Sequence, residues 1–184
     1  MGEHMKKKTR FTLHFLALII LLTAVAAAGC SSSTRKSKKT DSSAWKNIVL
    51  RDVKTGKPFK ISDFKRKTIL LESFAVWCPT CRKQQDQIKE LHRKVGDEVI
   101  SVSIDTDPSE NKARVLQHVN RNGFKWRFAI DEKGFAQGLV DEFGTNVVNA
   151  PSAPIVLINA NQEARLLRFG VKSAEELQEE IDKG

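Results

Sequence analysis

Apolar and polar positions alternate in blocks through the middle of the chain, and these blocks predict strands and helices in turn. Residues 68–76 and 98–104 are short apolar runs bounded by charged or polar residues, a pattern typical of buried strands. Between them, residues 79–95 repeat apolar positions at helical spacing, and Gly96 predicts the end of that helix. The pattern therefore predicts a strand, a helix and a second strand.

The same alternation continues towards the C-terminus. Asp107 has the features of a helix N-cap, with Pro108 in the first turn and Glu110 at the third position, so we expect a helix from there to about residue 120. Ser173 begins a capping-box pattern and predicts a last amphipathic helix. The remaining predicted elements are a strand over 126–130, a helix over 135–143, a strand over 155–158 and a paired strand over 164–169.

Short apolar runs at 48–50 and 58–61 flank a turn over 54–57 and predict an N-terminal β-hairpin. Strands alternate with helices in the centre, and hairpins lie at both ends. This order predicts an α/β fold with parallel central strands and antiparallel edges, built from residues 44–184.

The charge of the chain is concentrated before this domain. The sequence has 31 Lys and Arg against 22 Asp and Glu, a net charge of +9. Eight of the basic residues and two of the acids lie in residues 1–43, which leaves 23 basic and 20 acidic residues in 44–184. A domain so close to balance gives no support to nucleic-acid binding, so we expect no nucleic-acid partner.

Residues 1–29 have the pattern of a secretory signal: a basic start at 6–10, a mostly apolar run over 11–28 and Gly29 before Cys30. A membrane-spanning helix is the alternative, because 18 residues can just cross a bilayer. The segment Ala27-Ala28-Gly29-Cys30 resembles the lipobox of bacterial lipoprotein precursors. That resemblance implies cleavage before Cys30, acylation of Cys30, and a membrane-anchored extracytoplasmic protein.

Residues 31–43 contain no apolar side chain, so they cannot bury enough surface to offset the entropy of ordering. We interpret residues 30–43 as the lipidated cysteine followed by a flexible polar tether. Its basic residues either favour an anionic membrane surface or only keep the spacer solvated.

The candidate chemistry lies at Trp77-Cys78-Pro79-Thr80-Cys81, between a predicted buried strand and a predicted helix. Cys78 falls at the cap position, where free backbone N–H groups and the helix dipole favour a thiolate, whereas Cys81 falls one turn inside and is shielded. A structural disulfide closes too small a loop to add much stability. A zinc site needs about four ligands, so we expect no metal.

This motif resembles the active site of the thioredoxin superfamily. The stretch from Ile48 to Cys81, with Gly56 and Ser62-Asp63, resembles the membrane-tethered thioredoxin-like reductases of the TlpA and ResA type, and the likeness covers residues 46–182. It implies a thioredoxin-like fold, a redox-active Cys78–Cys81 disulfide without other cofactors, and Cys78 as the attacking thiol with Cys81 as the resolving thiol. Many of those reductases have Pro immediately before the second Cys, where this chain has Thr80.

Further site residues follow from the same resemblance. Glu72 lies six residues before Cys78, where thioredoxins have a buried acid, and is expected to accept the proton of Cys81; an exposed position or a pairing with lysine is the alternative. Pro154 matches the family's cis-proline, with Pro151 as the competing candidate. A cis bond there would present the Ala153 backbone to a substrate strand.

Trp77 and Pro79 are expected to contact substrate, although a packed, partly buried Trp77 is an alternative. His92 and His118 fall on predicted helices and are interpreted as surface or packing residues. Both histidines are therefore left out of the predicted site.

The function that the sequence favours is reduction of protein disulfides, for which the resemblance suggests cytochrome c maturation as one purpose. The implied partners are protein dithiol or disulfide substrates, a membrane electron donor and the membrane itself, and we expect a monomer. A dithiol oxidase or isomerase is one alternative. A copper-delivery protein on the same fold is another, although such carriers use a longer Cys-x-x-x-Cys spacing with a distant His.

Overall fold

The computed structural model of the protein describes residues 43–132 and 134–184. The predicted signal segment, Cys30 and the tether up to residue 42 lie outside these residues. Among the described residues, no helix combines the length and the apolar character that crossing a membrane requires.

The domain is an α/β structure around a mixed sheet, as the sequence predicts. Seven strands are described: β1 Leu50–Arg51, β2 Pro58–Phe59, β3 Thr68–Phe74, β4 Val99–Asp105, β5 Arg127–Ile130, β6 Ile155–Ile158 and β7 Ala164–Leu166. The α-helices of the described residues are α1 Pro79–Val95, α2 Lys112–Asn122, α3 Phe135–Phe143 and α4 Ala174–Asp182. Single 3-10 turns cover Ala44–Asn47, Ile61–Asp63, Thr145–Val148 and Ala150–Ser152.

Five strands form the main sheet in the order β5-β4-β3-β6-β7. Strands β3, β4 and β5 run parallel, whereas β6 is antiparallel to β3 and β7 is antiparallel to β6. Strands β1 and β2 form the separate N-terminal hairpin. The predicted parallel centre and one antiparallel edge, at β6 and β7, are therefore confirmed. The prediction that both edges are antiparallel is wrong, because the edge strand β5 is parallel to β4 and the N-terminal hairpin forms a sheet of its own. Strand β3 lies in the middle of the main sheet.

Each face of the sheet carries its own apolar core, because successive side chains of a strand point to opposite faces. Leu70 and Phe74 of β3 pack with residues of α1, α2 and α4 on one face. Ile69 and Leu71 pack with α3, the hairpin and Trp45 on the other face. Glu72 lies between Leu70 and Phe74 in this alternation, on the face that α1 covers.

Helix α1 begins and ends where the sequence predicts. Cys78 is its N-cap, Pro79 is its first residue, and Gly96 follows its last residue with φ +59°. A proline costs no hydrogen bond in the first turn, and glycine tolerates positive φ.

The predicted start of α2 at Asp107 is wrong. The helix begins at Lys112, and its N-cap is Asn111, whose side chain accepts a hydrogen bond from the Arg114 backbone N–H at 3.1 Å. The Asp107 carboxylate instead accepts from the Ser109 N–H at 2.8 Å and closes a local turn. The four residues from Asp107 therefore form a connection beside the cysteine loop rather than the first turn of a helix.

Candidate active site

The two cysteines lie where the central strand passes into α1. The Cys78 N–H donates to the Ala75 carbonyl oxygen at 3.1 Å, which turns the chain sharply after β3. The Cys81 N–H donates to the Cys78 sulfur at 3.1 Å. Cys78 is thus held at the positive end of the helix dipole by a backbone donor, an arrangement that stabilises a thiolate.

Cys81 occupies a different environment, one turn into the helix. Its thiol donates to the Ala150 carbonyl oxygen at 3.1 Å. The expected difference in exposure is wrong, because both cysteines are only 1 % exposed. The two cysteines differ in access to a pocket. Cys78 lines an open pocket of about 430 Å³, whereas Cys81 is not among the described residues that line it.

The environment of Cys81 keeps it protonated. Burial raises the pKa of this thiol well above its usual range, and the neighbouring Cys78 sulfur and the Glu72 carboxylate raise it further. A neutral thiol next to Cys78 leaves Cys78 as the better nucleophile of the pair. Cys81 therefore needs a proton acceptor before it can attack a disulfide.

Glu72 is a buried acid whose charge acts on Cys81. Its side chain is completely buried, and its Oε2 accepts hydrogen bonds from Ser103 Oγ at 2.6 Å and Gln85 Nε2 at 3.2 Å. Ser103 lies in register with Glu72 on the neighbouring strand, which explains the shorter contact. Glu72 Oε1 has no hydrogen-bond partner among the described residues.

Burial raises the pKa of Glu72 to about 8, even though Ser103, Gln85 and the positive charge of Lys172 act in the opposite direction. The alternative of an exposed or lysine-paired Glu72 does not describe this structure. The Glu72 carboxylate is one of the causes that raise the pKa of Cys81, after burial and the hydrogen bond with Cys78. Its role as proton acceptor stays a prediction.

Sequence analysis missed the contacts that hold Glu72. His118 is buried rather than on the surface, and its Nε2 lies 2.7 Å from Gln85 Oε1. Since Gln85 Nε2 donates to Glu72, the network assigns the Nε2–H tautomer to His118. A polar residue four positions after Cys81, on the apolar face of α1, is the signal that could have identified Gln85.

Trp77 lies beside the cysteines on the surface. Its side chain is 56 % exposed, so the alternative of a packed tryptophan is not seen, and its indole N–H donates to Asp107 Oδ2 at 2.5 Å. The Val76 N–H next to it donates to Glu110 Oε2 at 2.8 Å. The connection after β4 therefore holds the loop that carries Cys78.

A second carboxyl group is buried in this connection. Asp105 is completely buried, and its Oδ1 accepts from the Asp107 N–H at 3.0 Å. Burial and the neighbouring Glu110 carboxyl raise the pKa of Asp105 to about 8. At neutral pH the Asp105 carboxyl therefore retains its proton.

The predicted cis-proline is wrong for this structure, because no peptide bond among the described residues is cis. Both backbone groups of Ala153 are engaged: its N–H donates to the Ala150 carbonyl at 2.9 Å, and its carbonyl accepts from Lys172 Nζ at 2.9 Å. A substrate strand would have to displace these bonds to pair with Ala153. Substrate contact by Ala153 and Pro154 therefore stays a prediction, and neither a cis bond nor a free Ala153 backbone supports it here.

Lys172 was also missed by sequence analysis. It is 1 % exposed, and its ammonium donates to the carbonyl oxygens of Ala153, Arg168 and Gly170. Burial and nearby Arg168 lower the pKa of Lys172 to about 8. This lysine ties the segment that contacts Cys81 to the segment before α4.

No group of three or more His, Cys, Asp or Glu side chains in the described part of the chain is arranged to hold a metal ion. The described cysteines, Cys78 and Cys81, are free thiols in this structure. The reactive groups of the site are thus two thiols, one buried acid and the hydrogen bonds that support them.

Comparison with known proteins agrees with this geometry. A family model described as Redoxin matches residues 21–166. The thiol-disulfide oxidoreductase ResA of Geobacillus kaustophilus is 25 % identical over 186 residues, covering 97 % of this chain and 98 % of the relative. ResA of Bacillus thuringiensis is 29 % identical over 129 residues, covering 70 % and 73 %.

Among solved structures, a secreted Mycobacterium tuberculosis disulfide oxidoreductase homologous to E. coli DsbE has a similar fold. The match has a TM-score of 0.61, 15 % identity, and covers 77 % of this chain and 98 % of the other. At that identity the likeness concerns the fold alone.

Proposed function

This chain belongs to the Redoxin family and is a thiol–disulfide oxidoreductase with the thioredoxin fold, and from this premise we propose that it is a membrane-anchored extracytoplasmic reductase of protein disulfides. The observation that carries the proposal is the Cys78–Cys81 pair at the start of α1, with the buried Glu72 on the strand that leads into it. The curated relatives named ResA support the same reaction class.

Reduction proceeds in two exchanges. The Cys78 thiolate attacks one sulfur of the substrate disulfide, so that the substrate S–S bond breaks, a Cys78–substrate bond forms, and the other substrate sulfur leaves and takes a proton. The Cys81 thiolate then attacks Cys78, which releases the second substrate sulfur. The protein is left as the Cys78–Cys81 disulfide, having given two electrons to the substrate.

The second exchange is the step for which Glu72 would act as the proton acceptor. Cys81 is neutral in the reduced protein, and its pKa is raised by burial and by the charge of Glu72. A carboxylate with a pKa of about 8 is well matched to accept a proton near neutral pH. Cys78, by contrast, lies at the N-cap of α1, where the Cys81 backbone N–H donates to its sulfur.

The location in the proposal rests on residues 1–43. A cleaved signal, acylated Cys30 and a polar tether would place the domain outside the cytoplasm, where a membrane donor must re-reduce the pair after each turnover. Cytochrome c maturation is the purpose suggested by the ResA and TlpA resemblance. The mass of the mature N-terminal peptide tests the anchor, since an unprocessed Met1 or an unmodified Cys30 contradicts it.

Trapping tests the reaction. Cys81→Ser should accumulate a mixed disulfide with a model disulfide protein, because the resolving thiol is gone, whereas Cys78→Ser should accumulate none. Mixed disulfides only in the Cys78→Ser variant would reverse the roles. In the wild type, a reduction potential near thioredoxin's, about −270 mV, supports a reductase, and one near about −120 mV would make the protein an oxidase.

A further inference from the structure

The open pocket beside Cys78 is lined by positively charged side chains. It lies between the cysteine loop, the first turn of α1 and one side of α2, and Cys78 and Trp77 form part of its wall. Three arginines line it: Arg82 from α1, and Arg114 and Arg121 from α2. No carboxylate of the described residues lines it.

The three guanidinium groups are only partly neutralised. Arg82 pairs with Asp86 at 2.9 Å, and Arg114 lies 3.9 Å from Glu110. Arg121 forms no ion pair among the salt bridges of the described residues and is exposed. Because Arg121 has no ion-pair partner among the described residues, its charge leaves the wall of the pocket positive.

Arg82 lines the pocket with part of its side chain, and its guanidinium rests on the Phe124 ring rather than being free in solvent. Its guanidinium carbon lies 5.4 Å from the centroid of the Phe124 ring, and its Nε is buried without a hydrogen-bond partner among the described residues. A buried guanidinium N–H without an acceptor is costly. An anionic group in the pocket would lower that cost by adding favourable charge next to it.

His118 lies in the same wall. Burial lowers its pKa and the positive charges of Arg82 and Arg121 lower it further, whereas the carboxylates of Glu110 and Asp86 act in the opposite direction. His118 is therefore neutral at physiological pH and adds a hydrogen-bonding group rather than a charge. The fixed charge of the pocket comes from the arginines.

We propose that this pocket binds an acidic side chain next to the disulfide of the protein substrate, so that the arginines select substrates with a carboxylate beside the reacting cysteine. The position of the pocket decides the ligand class, because whatever occupies it lies against Cys78. A polypeptide bonded to Cys78 in the mixed disulfide has its neighbouring side chains within reach of Arg114 and Arg121. This inference rests on the proposed function, since it concerns the substrate of the same thiols.

The test compares two disulfide-bonded peptides that differ only in Glu or Gln beside the cysteine. The wild-type protein should reduce the Glu peptide with a kcat/KM about three- to tenfold higher, mainly through KM, as expected for one or two exposed ion pairs. The double variant Arg114→Gln/Arg121→Gln should bring the ratio close to one by slowing the Glu peptide alone. Arg93→Gln, at the far end of α1, is the matched control and should keep the ratio.

The outcomes separate the two hypotheses. Equal kcat/KM for both peptides in the wild type overturns the acidic-substrate inference and leaves the reductase intact. An equal loss for both peptides in the double variant also overturns it, because the arginines would then be structural. Reduction of neither peptide by the wild type counts against the proposed function itself. Unchanged melting temperatures of the variants ensure that folded proteins are compared.

Discussion

At the scale of single residues, Glu72 has a property that a packing residue does not need. Its carboxyl is completely buried on the central strand, with one oxygen bonded to Ser103 and Gln85 and the other without a hydrogen-bond partner in the described part of the chain. Burial holds its pKa at about 8, so the group changes charge in the pH range in which thiols exchange. A buried acid poised in this way near a thiol is a recurrent feature of catalytic sites.

Glu72→Gln keeps the shape of the side chain and removes the base. Resolution of the mixed disulfide by Cys81 should slow by about 10²-fold, the range typical of losing a general base, while attack by Cys78 changes little. In the wild type the resolution rate should rise with pH up to about 8, where Glu72 becomes ionised, and the variant should lose that rise. Stopped-flow measurement of the two exchanges from pH 6 to pH 9 separates them.

Glu142→Gln is the matched control, because Glu142 bonds Trp45 on the opposite side of the domain. Its two rates should follow the wild type. If Glu72→Gln resolves the mixed disulfide at the wild-type rate and with the same pH profile, Glu72 is structural and another group takes the proton.

The chemistry-bearing residues differ in how far the sequence predicts them. Cys78, Cys81 and Glu72 stand out because a reactive pair follows an acid inside an apolar strand, and neither pattern depends on distant residues. Gln85 and Lys172 act through contacts across the fold: Gln85 bonds a strand residue 13 positions earlier, and Lys172 bonds Ala153 19 positions earlier. The sequence marks Gln85 only as a polar residue on an apolar helix face, and it identifies neither the distant partner of Gln85 nor that of Lys172.

At the scale of elements, local capping signals predicted the starts of α1 and α4 correctly. Helix α4 begins after Ser173, whose side chain accepts from the Glu176 N–H while Glu176 bonds back to Ser173. The predicted start of α2 is wrong because Asp107 and Glu110 accept hydrogen bonds from the cysteine loop instead of capping a helix. The Ala44–Asn47 turn is held mainly by packing of Trp45 and was not predicted.

Helix α3 packs closely against that turn. A Cβ added at Gly138 would lie 2.5 Å from Trp45 Cβ and 3.2 Å from Trp45 Cγ. The indole of Trp45 is buried, meets Phe135 at a ring-centroid distance of 5.4 Å and donates to Glu142 at 2.6 Å. The turn therefore has little freedom to move away.

Gly138→Ala should destabilise the protein, although alanine normally stabilises a helix interior by about 1 kcal/mol relative to glycine. Overpacking against a fixed Cβ costs about 1–3 kcal/mol, so a net loss of about 1 kcal/mol in the free energy of unfolding is expected. Urea unfolding measures it. Gln137→Ala, exposed on the same helix, should stay within about 0.5 kcal/mol of the wild type. An unchanged or higher midpoint for Gly138→Ala would show that the two elements separate easily.

At the scale of the whole molecule, the domain retains several ionisable groups in its interior. Glu72 and Asp105 are buried with pKa values near 8, and Lys172 is buried with its pKa lowered to about 8. Each group lies within the cysteine site or the segments that support it. The positions that make the site reactive are therefore also positions at which folding carries an electrostatic cost.

This cost predicts how stability depends on pH. Between pH 6.5 and 8 the unfolded chain has both carboxyls ionised, whereas the folded domain still holds protons on Glu72 and Asp105, so the free energy of unfolding must fall as pH rises. With these pKa values the two groups together lower it by about 3 kcal/mol over that range. The lowered pKa of His118 affects the free energy of unfolding below about pH 6.5, and the shifted pKa values of Lys172 and Cys81 affect it above pH 8. Between these limits the pH dependence therefore comes from the two carboxyls. Urea unfolding at pH 6.5 and pH 8 measures this fall in the free energy of unfolding.

The double variant Glu72→Gln/Asp105→Asn should largely abolish the fall. The exposed Asp97→Asn is the control and should leave the fall unchanged. Equal stability of the wild type at the two pH values would mean that both carboxyls are already ionised in the folded protein, and that Glu72 cannot be the pH-dependent base of the second exchange.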